Sequence, residues 1–331
     1  MSKDLTPQAV PDTSLQPAEQ PAAQQQTVTR YRTGQPAHSV QDWLAQEVPV
    51  AMVYNGISHA VMMASPSDLD DFGRGFSLAE GIVDHAGQIY DLDIQHTEEG
   101  IALHITIASA AFDRLKQKRR SLTGRTGCGV CGTESLAMLA QQVPPPVQGA
   151  DVSLQALLQA LQALPAQQSI NQLTGGLHAA AFADAAGNLL LVREDVGRHN
   201  ALDKLIGALQ SLPADIRSQG MVLMTSRASY ELIVKTCRAG IPTLACVSAP
   251  TTLAVQLASG IASKGRPVLY VSGEEAALQV RRRGERLGLS LGGILVLPDD
   301  LAAGTPILDA LPAPGTVLEL ELTPNRGDCQ G

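Results

Sequence analysis

From residue 176 to residue 258 the chain alternates strand, charged junction and helix, an order that neither an all-helical nor an all-strand fold accommodates. Residues 176–183 and 188–192 read as short strands around 184–187. The second strand runs into Arg193-Glu194-Asp195-Val196-Gly197-Arg198-His199-Asn200, ahead of an amphipathic helix beginning near Ala201. Residues 221–225 then read as strand, 228–239 as a helix stopped by Gly240, 243–247 as strand and 253–258 as helix. This alternation predicts an α/β fold with a parallel, right-handed sheet and helices over its faces. Ligands in such sheets sit off the carboxyl ends of strands, against helix N-termini whose free N–H groups favour anions. Three junctions qualify, 193–200, 226–229 and 248–252, and Asp195, His199 and Arg227 are their candidate cofactor-binding residues. Each also has a plainer reading: Asp195 as a helix cap, Arg227 as the partner of Glu231, and His199 as a hydrogen-bonding positioner rather than a general base.

The first half supplies a second set of strands. Residues 1–30 are rich in Gln, Pro and Ala with few large apolar side chains, so they read as a disordered leader, with order expected from near Trp43. Residues 48–54 and 57–63 flank Asn55-Gly56, the dipeptide that best supports the positive φ of a two-residue hairpin turn. Ser65-Pro66-Ser67-Asp68 opens a core helix carrying Leu69, Phe72, Phe76 and Leu78, which ends at Glu80-Gly81. Strands at 89–95 and 101–107 surround a turn at 97–100, and a basic helix with Lys116, Lys118, Arg119 and Arg120 follows.

That helix delivers Arg125-Thr126-Gly127-Cys128-Gly129-Val130-Cys131-Gly132, where glycines interleave two thiols and let the backbone approach a bulky ligand. Nearby positive charge lowers a thiol's pKa and raises its thiolate fraction. A zinc site would need two further ligands, and the chain has no second Cys-x-x-Cys and no closely spaced His pair. A thioredoxin-like pair would lie near the N-terminus, and a core role suits the glycine flanks poorly. Sulfur or acyl carriage on an exposed thiolate is the reading that uses the basic run. Beyond the loop, 133–140 reads as a short helix, Pro144-Pro145-Pro146 breaks the chain, and 153–164 reads as an amphipathic packing helix. The expected division is a leader at 1–30, an α/β domain at 31–145 carrying the thiol loop, a second domain at 146–273 and a tail at 274–331.

Composition narrows the partners. A net charge of −8 gives no global basic footprint for nucleic acid, and 3% aromatic residues disfavour base-stacking platforms. No run approaches the roughly 18 apolar residues that cross a bilayer. Five cysteines without a secretory signal argue for free thiols in a reducing cytoplasm.

Several blocks in order resemble the FdhD family of formate dehydrogenase accessory sulfurtransferases, over about residues 40–258. They are Gln46-Glu47-Val48-Pro49-Val50 with Val53-Tyr54-Asn55-Gly56, Gly75-Phe76-Ser77-Leu78-Ala79-Glu80-Gly81, the thiol loop, His178-Ala179-Ala180, Glu194-Asp195-Val196-Gly197-Arg198-His199, Ser226-Arg227-Ala228-Ser229-Tyr230-Glu231, and 247–255. The resemblance implies a sulfur carrier that takes sulfur as a persulfide from a cysteine desulfurase. It passes that sulfur to the molybdenum of the bis(molybdopterin guanine dinucleotide) cofactor, its bound client, before apo formate dehydrogenase receives it. It further implies a larger domain like the cytidine deaminase fold without the deaminase zinc, a homodimer, Cys128 as the persulfide-bearing cysteine and Cys131 as its neighbour. A non-catalytic chaperone that grips the cofactor is the alternative. The family's cofactor-contacting segment corresponds here to Ile261-Ala262-Ser263-Lys264-Gly265-Arg266, which keeps Gly265 and Arg266 and replaces the aromatic. Residues 267–289 resemble a piece of RadA-type recombination ATPases without their phosphate loop, so no ATPase is inferred. Residues 293–328 resemble a fragment of the phenylalanyl-tRNA synthetase β subunit, and no role is assigned to 274–331.

Overall fold

The computed structural model describes residues 21–31, 33–34, 36–122, 152–248, 250–251, 253–254, 294–297 and 317–320. Strands β1 (Ala23–Arg30) and β2 (His38–Ala45) form a two-stranded antiparallel ribbon. This corrects the reading of 1–30 as leader throughout, and of order beginning near Trp43. The ribbon lacks a large apolar face, but cross-strand pairs hold it: Arg30 to Asp42 at 3.0 Å, and Gln41 to Thr27 at 2.7 Å.

Strands β3 (Val48–Tyr54) and β4 (Ile57–Ala64) make the expected hairpin, with Asn55 at φ 45° and Gly56 at φ 81°. Both angles lie in the left-handed region that a two-residue turn of this kind requires. The Asn55 side chain also reaches β6 (Ile101–Ile107), donating to the Ile107 carbonyl at 3.1 Å and accepting from its N–H at 2.8 Å. One residue thereby turns the hairpin and fixes the parallel register of β3 against β6. Strand β5 (Ile89–His96) completes a sheet of order β4-β3-β6-β5. One face is covered by α1 (Leu69–Ala79) and α2 (Ser109–Leu122), whose Phe72, Phe76, Ala111 and Leu115 meet Met52, Tyr54, Leu103 and Ile105 in one core.

The second sheet has the order β10-β9-β7-β8, from β7 (His178–Ala183), β8 (Leu189–Asp195), β9 (Met221–Arg227) and β10 (Thr243–Ser248). It is mixed rather than parallel. Only β9 and β10 pair in parallel as neighbours, and β7 is antiparallel to both β8 and β9. The reason is the tight turn after β7, where Asp184 accepts from Ala186 and Asn188 and Gly187 takes φ 90°. A connection so short joins antiparallel strands only. Alternating residues bury both faces. Ala179, Ala181, Met221 and Leu223 meet α3 (Leu154–Gln167), while Ala180, Phe182, Val222 and Met224 meet α5 (Arg198–Ala208) and α7 (Tyr230–Arg238). Short helices α4 (Ser169–Thr174) and α6 (Ala214–Gln219) complete this half, and β11 (Ile294–Leu297) pairs in parallel with β12 (Val317–Leu320).

The two halves meet where α1 crosses α5, and glycines make the contact. A Cβ on Gly75 would stand 1.7 Å from the Asp203 carbonyl oxygen, and one on Gly207 would stand 1.9 Å from that of Asp71. Charges are buried beside this crossing. The Lys235 ammonium on α7 reaches both carboxylate oxygens of Asp203 on α5, at 2.7 and 2.6 Å, and Glu80 at the end of α1, at 3.0 Å. Burial works against the Lys235 ammonium, yet the Asp203 and Glu80 carboxylates outweigh it and hold its pKa up. Burial pushes the Asp203 carboxyl up to about 6 against the pull of Lys235, so the pair is charged at neutral pH.

Two outcomes follow from this joint. Gly75→Ala should destabilise the protein by about 3 kcal/mol, because the clash is with backbone, and urea unfolding followed by circular dichroism will measure the loss. For Asp203, the folded pKa of about 6 lies above the ordinary value of 3.8. Its contribution to stability is therefore fully present below the ordinary value and is lost as pH rises through about 6. Asp203→Asn should flatten the stability profile in that window, and carbon-detected NMR should place the wild-type carboxyl midpoint near 6.

Candidate functional site

Because β7 reverses direction, β8, β9 and β10 all point the same way, and their carboxyl ends, at Asp195, Arg227 and Ser248, fall on one edge of the second sheet. His178 begins β7 at that edge, directly opposite Asp195. The three junctions singled out in the sequence are thus neighbours, and Asp195, His199 and Arg227 come together there.

Their surroundings divide them. Asp195 is fully buried, and its carboxylate is ringed by donors: Ser65 N–H at 2.9 Å, Gly197 N–H at 2.8 Å, Asn200 Nδ2 at 3.0 Å and Lys204 Nζ at 2.8 Å. The two residues before it are also engaged internally. Glu194 accepts from the N–H groups of Ile170 and Asn171, capping α4, and Arg193 reaches Asp71 on α1 at 2.8 Å. Gly197 opens α5 in an extended conformation, where a Cβ would stand 2.9 Å from Asn200 Nδ2. The glycine lets Asn200 fold back over the junction.

His199, in the first turn of α5, lies with its Nε2 3.5 Å from Ser229 Oγ and 3.7 Å from Glu231 Oε2. Ser229 caps α7, accepting from the Leu232 N–H at 3.5 Å. The neighbouring His199 imidazole holds the Glu231 carboxyl down at about 2, against the opposing effect of burial. The partner of Glu231 is therefore His199, not Arg227 as the one-turn spacing suggests. Arg227 is still on the strand and exposed, and among the described residues it forms no ion pair. Arg198 keeps a buried Nε with no hydrogen-bond partner among the described residues. The half-buried His178 has its pKa lowered, first by burial and then by the Arg198 charge, against the opposing pull of Asp195. Its imidazole is neutral at pH 7.

The edge therefore presents two guanidinium groups, a neutral imidazole and the first turns of two helices, whose N–H groups lack intrahelical acceptors. That set suits an anion of phosphate type. Lys204, Asn200, Ser65 and Arg198 were not among the sequence candidates. The available signal was Asp203-Lys204 set within the otherwise apolar stretch 201–208, all of which is buried. Cys128, Cys131 and the segment Ile261, Ala262, Ser263, Lys264, Gly265 and Arg266 lie outside the described residues. The thiol of Cys246 is buried and pushed up to about 12, and burial also raises that of Cys237. No described helix is long and apolar enough to cross a membrane.

Residues 45–262 match the model of the FdhD/NarQ family. A sulfur carrier protein FdhD from Cupriavidus necator is 53% identical over 261 residues, covering 76% of this chain and 90% of that protein. The protein of the same name from Variovorax paradoxus is 52% identical, covering 66% and 78%. Among solved structures, a protein described as a formate dehydrogenase accessory protein from Desulfotalea psychrophila superposes with a TM-score of 0.58. It is 21% identical and is matched over 76% of this chain and 93% of its own, a likeness of fold.

The exposed Arg227 gives the edge a direct test. Arg227→Ala should weaken binding of inorganic pyrophosphate by about 1.5 to 3 kcal/mol, the usual worth of a charge-assisted hydrogen bond, in calorimetric titration at low salt.

Proposed function

This chain belongs to the FdhD/NarQ family, and from that premise we propose that it is a sulfur carrier serving formate dehydrogenase, with Cys128 as the persulfide carrier. The observation that carries the reading is the span of the family match, 45–262, which includes both the thiol segment and the strand-end edge. Relatives more than half identical to it bear the name of sulfur carrier. The charged helix α2 supports it from the residues, because Lys116, Lys118, Arg119 and Arg120 lie just ahead of Cys128 and favour its thiolate.

The first step is an exchange of sulfur. The Cys128 thiolate attacks the outer sulfur of a persulfide on a cysteine desulfurase; the sulfur–sulfur bond there breaks, the donor leaves as a thiolate, and Cys128 holds the new persulfide. Cys131, three positions on in the sequence, is its neighbour in the loop. The recipient is the molybdenum of a bis(molybdopterin guanine dinucleotide) client. Its phosphates suit the Arg198, His199 and Arg227 edge, with Asp195 shaping that edge from within. The segment 261–266 supplies a second cationic contact through Lys264 and Arg266. The reaction belongs in the cytoplasm, in a homodimer whose thiol-bearing domain spans 31–145 and whose client-binding domain spans 146–273, with apo formate dehydrogenase as the final recipient.

Mass spectrometry after incubation with a cysteine desulfurase and cysteine tests the carrier against a chaperone that only grips the cofactor. The wild-type chain should gain one sulfur atom, Cys128→Ser none, and Cys237→Ser and Cys246→Ser as much as wild type, since burial holds both of those thiols in the protonated state. Sulfur retained by Cys128→Ser would place the carrier thiol elsewhere.

A further inference from the structure

A lysine without solvent contact is costly to keep charged, and Lys204 has none. Its Nζ stands 2.8 Å from Asp195 Oδ2, 2.9 Å from the Ser65 carbonyl and 3.4 Å from the Glu194 carbonyl, one acceptor for each ammonium hydrogen. The Phe72 ring of α1 lies 6.0 Å from it. The Asp195 carboxylate in turn accepts from three donors besides Lys204: the N–H groups of Ser65 and Gly197 and Asn200 Nδ2. Ser65 Oγ accepts from the Val196 N–H at 3.2 Å, and Asn200 Nδ2 donates to the Met63 carbonyl at 2.7 Å. Residues 63–65, where β4 of the first sheet ends, are thereby tied by four hydrogen bonds to residues 195–204, where α5 of the second half begins.

A well-packed apolar pair would hold two layers together at least as firmly as a buried ion pair. What the charged pair adds is direction, because each donor has one acceptor and the helix can take only one rotation and one height. The part so fixed is the amino end of α5, which carries Arg198 and His199 to the edge. We propose that Lys204 and Asp195, with Asn200 and Ser65, are positioning residues that lock the amino end of α5 to the exit of β4, so that the anion-binding geometry of the edge is set by the first sheet. The proposal rests on the reading of that edge as an anion site. None of the four residues touches the anion. Their effect passes through Gly197, Arg198 and His199.

The test compares Lys204→Met and the milder Asn200→Ala with Leu161→Ala, in the full chain. Leu161 packs against the opposite face of the second sheet, so its truncation lowers stability without touching the lock. Hydrogen exchange of residues 196–201 and calorimetric binding of inorganic pyrophosphate are the two readouts. Asn200→Ala, and Lys204→Met where it folds, should speed exchange selectively at 196–201 and weaken pyrophosphate about tenfold, the scale on which partners behind a binding residue act. Leu161→Ala should do neither. The proposal is overturned if Asn200→Ala leaves exchange at 196–201 as in wild type, or if Leu161→Ala reproduces its pattern. Should the wild-type chain bind no pyrophosphate, the anion reading of the edge fails, and exchange alone decides the lock.

Discussion

Helices α1 and α5 come from different halves of the chain and approach until backbone meets backbone, with only glycine at the two points of contact. A helix pair this close has no side-chain layer to cushion it, so neighbouring groups must be placed around it. Two lysines fill that role, Lys235 beside the crossing and Lys204 nearer the start of α5, and each is enclosed by acceptors from both halves. Buried ion pairs add little net stability over apolar ones, but they tolerate few alternative arrangements. The crossing therefore has one register, and α5 carries that register to the edge of the second sheet.

The mixed order of that sheet decides what the edge contains. A wholly parallel arrangement would have brought strand ends together as well, but β7 would then have finished there. Running the other way, it starts at the edge and contributes His178 instead. The charges crowded after β8 are sorted by direction. Arg193, Glu194 and Asp195 turn inward to α1, α4 and Ser65, while Arg198 and Arg227 form no ion pair among the described residues. A dense run of charge in the sequence thus yields both scaffold and candidate site.

Local signals were legible in the sequence. The Asn55-Gly56 turn, the start and stop of α1 and the Gly240 stop of α7 all depend on residues within a few positions of one another, and the structure agrees with each. What escaped depends on partners more than a hundred residues away, such as Ser65 with Asp195 or Arg193 with Asp71. Lys204 and Lys235 were not singled out, because the oxygens that enclose each come from other segments of the chain. The parallel reading of the second sheet failed for a related reason: alternation of strand and helix was weighed above the tight 184–187 turn. The candidate edge was found because strand ends are marked locally, whereas the difference between Asp195, which is enclosed, and Arg227, which is exposed, was not.

The β1–β2 ribbon stands apart from this joint, resting mainly on α4, and it holds Trp43, the chain's single tryptophan, 38% exposed. A two-stranded ribbon is marginally stable by itself. Indole emission from this protein consequently reports the ribbon and its immediate support. A denaturation curve followed by fluorescence would register peeling of the ribbon while the glycine crossing and its enclosed lysines remained intact, so disagreement between optical and dichroic midpoints would be a property of the architecture rather than of the cooperativity of its core.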